Sequence, residues 1–131
     1  MRQQGGGHIM TISSVVATLV SPYAATYAAS KAFVSSLAAS LRVELEADKI
    51  AITDVFVGRT ATEFDEKRRG AGKRSAGGLP TMPPETVAAG LVKAANARPQ
   101  TVVLRAFDRL ILLGNWLLPG LMGRLAKRQY K

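Results

Sequence analysis

Two short apolar runs separated by one long alanine-rich stretch leave this chain few ways to fold. His8 to Ser13 carries Ile9, Met10 and Ile12 between the glycines Gly5, Gly6 and Gly7 and a serine pair, and reads as a short buried strand. Ile50 to Val57 is β-branched and weakly alternating, as a strand covered on both faces is. Between them, over 24–47, alanine dominates and Phe33, Leu37, Leu41 and Leu45 recur at four-residue steps, which predicts a long helix. Strand, long helix, strand is the order of parallel strands joined by a right-handed crossover.

The alternation continues downstream. Gly58 to Phe64 reads as a polar turn, and 63–80 as a charged, glycine-rich loop. Pro83-Pro84-Glu85 opens a helix reaching about Ala95, because proline suits the first helical turn and an early acid suits the helix dipole. Thr101 to Leu104 is a third short strand, and 106–131 is an apolar segment with a basic tail. The expected fold class is therefore α/β: part of a doubly wound parallel sheet, about three strands with flanking helices. Its first strand would leave a raw edge.

Composition narrows the chemistry. The chain has no cysteine, hence no disulfide and no thiolate metal site, which suits a reducing compartment such as the cytoplasm. His8 is the only histidine, leaving little material for a Ser-His-Asp triad or a histidine zinc site, and is expected to be a surface residue where the first strand begins. Eighteen basic against nine acidic residues give a formal charge of +9. No aromatic-interleaved basic motif accompanies that charge, so nucleic acid is not the expected partner. Thr11, Ser13, Ser14 and Thr18 interrupt the run from Ile9 to Val20, which reads as a strand and loop rather than a secretion signal. Leu110 to Met122 falls short of the ~18 residues of a spanning helix. It is expected to bury against the sheet or a second subunit; peripheral contact with a membrane surface is the alternative.

Tyr27-Ala28-Ala29-Ser30-Lys31 places a phenol and an ammonium four residues apart, on one helix face. Ser14 falls just past the carboxyl end of the first strand, the edge where open α/β sheets bind ligands. A phenol serves as acid or base once its acidity moves from about 10 toward neutrality, and a neighbouring ammonium favours that. The bland alternative is a solvated i,i+4 pair worth a few tenths of a kcal/mol, ~0.2–0.5.

The stretch from Gly5 to Lys31 resembles the catalytic segment of the short-chain dehydrogenase/reductase family. The glycine-rich approach, apolar strand, Ser13-Ser14, spacing of thirteen to Tyr27 and Tyr-Ala-Ala-Ser-Lys carry the likeness together. The resemblance implies NAD(P)-dependent interconversion of a carbonyl and an alcohol. Ser14, Tyr27 and Lys31 would be catalytic: Tyr27 passes the proton, Ser14 hydrogen-bonds the substrate oxygen, and Lys31 supports the phenol. Tyr27 and Lys31 would also touch the cofactor. Val55-Phe56-Val57-Gly58-Arg59-Thr60-Ala61-Thr62 resembles the family's turn along the nicotinamide, which implies cofactor contacts from Gly58, Thr60 and Thr62. Val57 stands where the family has proline, and Thr60 where it has valine or isoleucine. The 63–80 loop falls where the family keeps a mobile substrate lid, and helix 24–47 where it pairs subunits into homo-oligomers.

The likeness implies that 1–131 is the C-terminal half of a single Rossmann-type domain. No glycine-rich turn follows a strand, no residue selects NAD or NADP, and the family's catalytic asparagine would precede Met1. The expectation is a truncated polypeptide with little turnover alone, acting on a small carbonyl or alcohol, with an apolar one favoured. The alternative is a non-enzymatic module that dimerises or binds a partner.

Overall fold

A computed structural model describes residues 1–63 and 80–129. The residues likened to a lid, save for Glu63 and Pro80 at its ends, lie outside the described residues. Among those described, β1 (Gly7–Ser14), β2 (Ile50–Val57) and β3 (Thr101–Val103) form a parallel sheet in the order β1-β2-β3. The helices are α1 (Ala25–Glu44), α2 (Pro84–Ala97), α3 (Ala106–Leu117) and α4 (Pro119–Arg128). The expected partial Rossmann-like α/β arrangement is what is found.

In the β1–β2 register Ile9 lies opposite Ile52, and Ser14 opposite Val57. The core beneath α1 consists of Ala38, Ile50 and Ile52, with Ile9, Leu41 and Leu45 packed around it. The four-residue run therefore divides: Leu41 and Leu45 face the sheet, while Phe33 is 67% and Leu37 43% exposed. At 3.6 residues per turn each four-residue step rotates ~40°, so three steps carry the side chain ~120° around the helix. A run of leucines at that step is not one face.

The same helix manages the sheet's open edges. Gly7 N–H donates to Lys49 O at 3.2 Å, so alternate residues of β1 aim their backbone groups at β2. Ile12 is among those that aim at the open side. Lys31 Nζ donates to Ile12 O at 3.0 Å there. Beyond the short β3, Arg42 reaches Ile52 O at 3.4 Å and Gln100 O at 2.7 Å. Charged side chains on exposed edges hinder further strand pairing.

Tyr23, just before α1, is 52% exposed with φ 58°. Two expectations are corrected. The C-terminal segment is two helices broken where Pro119 cannot continue α3, and Leu110, Leu113 and Trp116 are each more than half exposed rather than buried on the sheet. No described helix is long and apolar enough to cross a membrane. His8 does stand at the start of β1, as its second residue, but is half-buried rather than on the surface, its Nε2 2.8 Å from Thr53 Oγ1. Thr53 gives its own proton to Pro99 O at 2.6 Å, so His8 is the donor.

Burial and then the nearby Arg98 charge lower the His8 pKa from its ordinary 6.5. Below 6.5 the unfolded chain then binds more protons than the folded one, so stability falls as pH drops through that window and is fully present above it. Urea unfolding at pH 7.5 and 5.5 should show a smaller acid loss for His8→Gln, which keeps a donor but cannot titrate. Equal losses in both proteins would contradict the assignment.

Candidate active site

The site begins where β1 ends. Successive strand residues point to opposite faces, so the two serines part company. Ser13 Oγ lies 2.7 Å from Ser35 Oγ and donates to Lys31 O at 3.3 Å, which fastens the strand to the helical turn carrying Lys31. Ser14 caps a short 3₁₀ turn, Val15–Ala17, accepting from Val16 N–H at 3.4 Å. Its own proton goes to Val57 O at 3.2 Å, at the end of β2.

Tyr27 sits in the first turn of α1 and Lys31 one turn further on, with Nζ 5.9 Å from the Tyr27 ring centroid. That distance is within reach of a cation–π contact. A cleft of about 150 Å³ gathers Ser14, Tyr27 and Gly58, with Val15, Val16, Leu19 and Ile111 as apolar wall. The structure thus brings together three of the sequence-identified residues. Lys31 reaches the strand edge beside the cleft rather than lining it. Thr60 and Thr62 also lie outside its wall, and Thr62 is exposed. A larger groove of about 530 Å³ lies elsewhere, lined by Arg42, Glu46, Lys49 and Arg98 among others, and holds none of this constellation.

The turn after β2 is held from the far side. Met82 N–H donates to Arg59 O and Ala61 N–H to Met82 O, both at 2.8 Å. This parallel bridge at Thr60 uses its neighbours' backbone, so Thr60's own N–H and C=O stay out of the ladder. Its hydroxyl donates to Gly58 O at 3.2 Å.

Sequence reading missed Arg105 and Asp108, which also line the cleft. Asp108 is 1% exposed and takes two bonds from the Arg105 guanidinium, at 2.6 and 3.2 Å. Arg105 also donates to Pro80 O at 2.7 Å. An i,i+3 Arg/Asp pair entering a helix reads as a solvated charge pair, and only the fold reveals its burial. Among the described residues, no three His, Cys, Asp or Glu are grouped to hold a metal.

The donors present fit one end of a dinucleotide. Lys31, Tyr27 and the backbone of Thr60 offer an ammonium, a hydroxyl and an amide outside the ladder at the carboxyl edge of the sheet, groups of the kind a nicotinamide and its ribose take. The link from β1 to α1, 15–24, contains no glycine and is not a pyrophosphate cradle.

A family model described as short chain dehydrogenase matches residues 1–72. Among solved structures, a short-chain dehydrogenase from Burkholderia cenocepacia J2315 in complex with NADP is similar, with TM-score 0.75 and 19% identity. The match covers 95% of this chain and 48% of that one. A short-chain dehydrogenase from Streptomyces avermitilis gives TM-score 0.70 and 22% identity, over 97% of this chain and 52% of that one. The chain thus spans about half the length of these structures. At such identities the likeness is one of fold. No curated protein sequence matches.

Gly58 has a structural duty of its own. A Cβ there would run into the Asp108 carboxylate. Gly58→Ala should therefore displace the buried ion pair and cost about 1–3 kcal/mol, as overpacking does. Urea denaturation checks this; an unchanged midpoint would show that Asp108 can move aside freely.

Proposed function

The chain belongs to the short-chain dehydrogenase family, and from that premise we propose that it carries the proton-transfer half of an NAD(P)-dependent site interconverting a carbonyl and an alcohol. The observation supporting this most directly is the cleft in which Ser14, Tyr27 and Gly58 meet, with Lys31 one helical turn from Tyr27. A nicotinamide, when bound, supplies or accepts the hydride at the carbonyl carbon.

The chain's own residues do the rest. In the reductive direction the Tyr27 hydroxyl proton passes to the carbonyl oxygen. Ser14, turned away from Val57 O, donates to that same oxygen as negative charge develops on it. The Lys31 ammonium, turned from Ile12 O, offsets the charge left on Tyr27 and would hold the ribose hydroxyls. Gly58, Thr60 and Thr62 would hold the nicotinamide, Thr60 with backbone groups and Thr62 with its hydroxyl. The apolar wall favours a substrate whose carbonyl or alcohol carries apolar substituents.

Turnover on this reading requires a glycine-rich βαβ unit to grip the pyrophosphate, in the same polypeptide or on a partner. That unit would also settle NAD against NADP. Phe33, Leu37 and Val43 stand exposed along α1, which favours pairing of two copies through this helix. The same exposure supports the second reading, a docking module without turnover.

With that βαβ unit present, Tyr27→Phe should lower carbonyl reduction about 10²–10⁴-fold, the usual reach of general acid catalysis, without shifting the melting temperature. Full activity in the variant would overturn the assignment. On a sizing column, Phe33→Ser should yield a smaller species than the parent; identical elution would remove α1 as the pairing surface.

A further inference from the structure

We propose that the outer face of the α3–α4 hairpin docks on an anionic phospholipid surface, an inference independent of the catalytic reading. The solvent-facing half of α3 is the wrong half to be apolar. Phe107, Leu110, Leu113, Trp116 and Leu117 share one ~180° arc at 100° per residue. Leu110 is 66%, Trp116 78% and Leu117 58% exposed, and Arg109 is the one charged residue among them. The opposite side is taken up by the fold: Asp108 is buried with Arg105, and Asn115 Nδ2 donates to Thr18 O at 2.9 Å. Leu118 and Leu121, at 58% and 50% exposure, extend the apolar surface across the turn into α4. A helix in water places such residues inward.

Charge decides what covers this face. Between Ala106 and Gln129 the only carboxylate is Asp108, already buried and paired, whereas Arg109, Arg124, Lys127 and Arg128 are all exposed. A second copy seated by two-fold symmetry would bring these cations against themselves with no acid to answer them. An anionic bilayer supplies both requirements, acyl chains for the leucines and headgroup phosphates for the cations, with tryptophan at the boundary. The two helices, 12 and 10 residues long, are too short to span and would lie flat.

Trp116 is the only tryptophan in the chain, so its emission reports on this face alone. Vesicles of phosphatidylcholine with one-quarter phosphatidylglycerol should shift the emission to the blue, and acyl-brominated lipid should quench it. Binding should weaken with salt and fall on the order of a hundredfold in Arg124→Gln/Lys127→Gln/Arg128→Gln, since each cation near an anionic surface contributes about 1 kcal/mol. Those exposed side chains can be changed without touching the core, and circular dichroism verifies that the variant folds. Unaltered emission with anionic vesicles would overturn the proposal. So would equal partitioning into pure phosphatidylcholine, or a concentration-dependent blue shift without lipid, which would mean that a second copy covers the face.

Discussion

The parallel pairing of β1 with β2 is the constraint from which the candidate site follows. Parallel neighbours require the chain to return across the sheet, and α1 makes that return. Both strands consequently end at one edge, and the helix must begin there. Ser14, Gly58 and the first turn of α1 therefore meet at that edge. The spacing along each element then matches. Lys31 lies four residues down the helix from Tyr27, a retreat of ~6 Å. Ile12 lies two residues back along the strand from Ser14, a retreat of ~6.6 Å. The ammonium therefore meets the Ile12 carbonyl, and its 3.0 Å bond records how closely helix and strand keep step.

Small residues make that registration possible. Ala38 is fully buried against Ile50 and Ile52, so α1 approaches the sheet closely enough for the Ser13–Ser35 hydroxyl pair to form at 2.7 Å. Ser13 also bonds the carbonyl of Lys31. The residue beside the candidate catalytic serine is thus a fastener that fixes where the helix, and with it Tyr27, sits relative to Ser14. On the other flank Asp108 occupies the space beside Gly58 that a side chain would fill, so the same glycine that shapes the turn also admits the buried Arg105–Asp108 pair.

Much of this was legible in the sequence because it depends on local period and spacing. The β-branched run of Ile50 to Val57 is β2 to the residue, and Tyr27 and Lys31 lie on one helix as their spacing predicts. What escaped depends on which surface an element finally meets. Phe33 and Leu37 look like Leu41 and Leu45 in sequence, and only the helical drift against a flat sheet separates them. His8 looked superficial because its partner Thr53 lies 45 residues away on β2. The apolar C-terminal segment read as burying on the sheet or on a second subunit, and it forms a hairpin whose apolar half faces away from the sheet.

The hairpin and the cleft are neighbours. A second cavity of about 190 Å³ shares Val16, Leu19 and Ile111 with the cleft and continues to Asn115 and Met122 on α3 and α4. Apolar wall thus runs from Ser14 and Tyr27 toward the exposed helices. The central claim, that this sheet edge forms the nicotinamide-ribose half of a dinucleotide site, is tested most directly by amide NMR of the chain titrated with reduced nicotinamide mononucleotide. Shifts are expected at Ser14, Lys31 and Thr60 through Thr62, with β3 and α2 undisturbed. Shifts confined to other elements, or none as the ligand reaches high concentration, would contradict it.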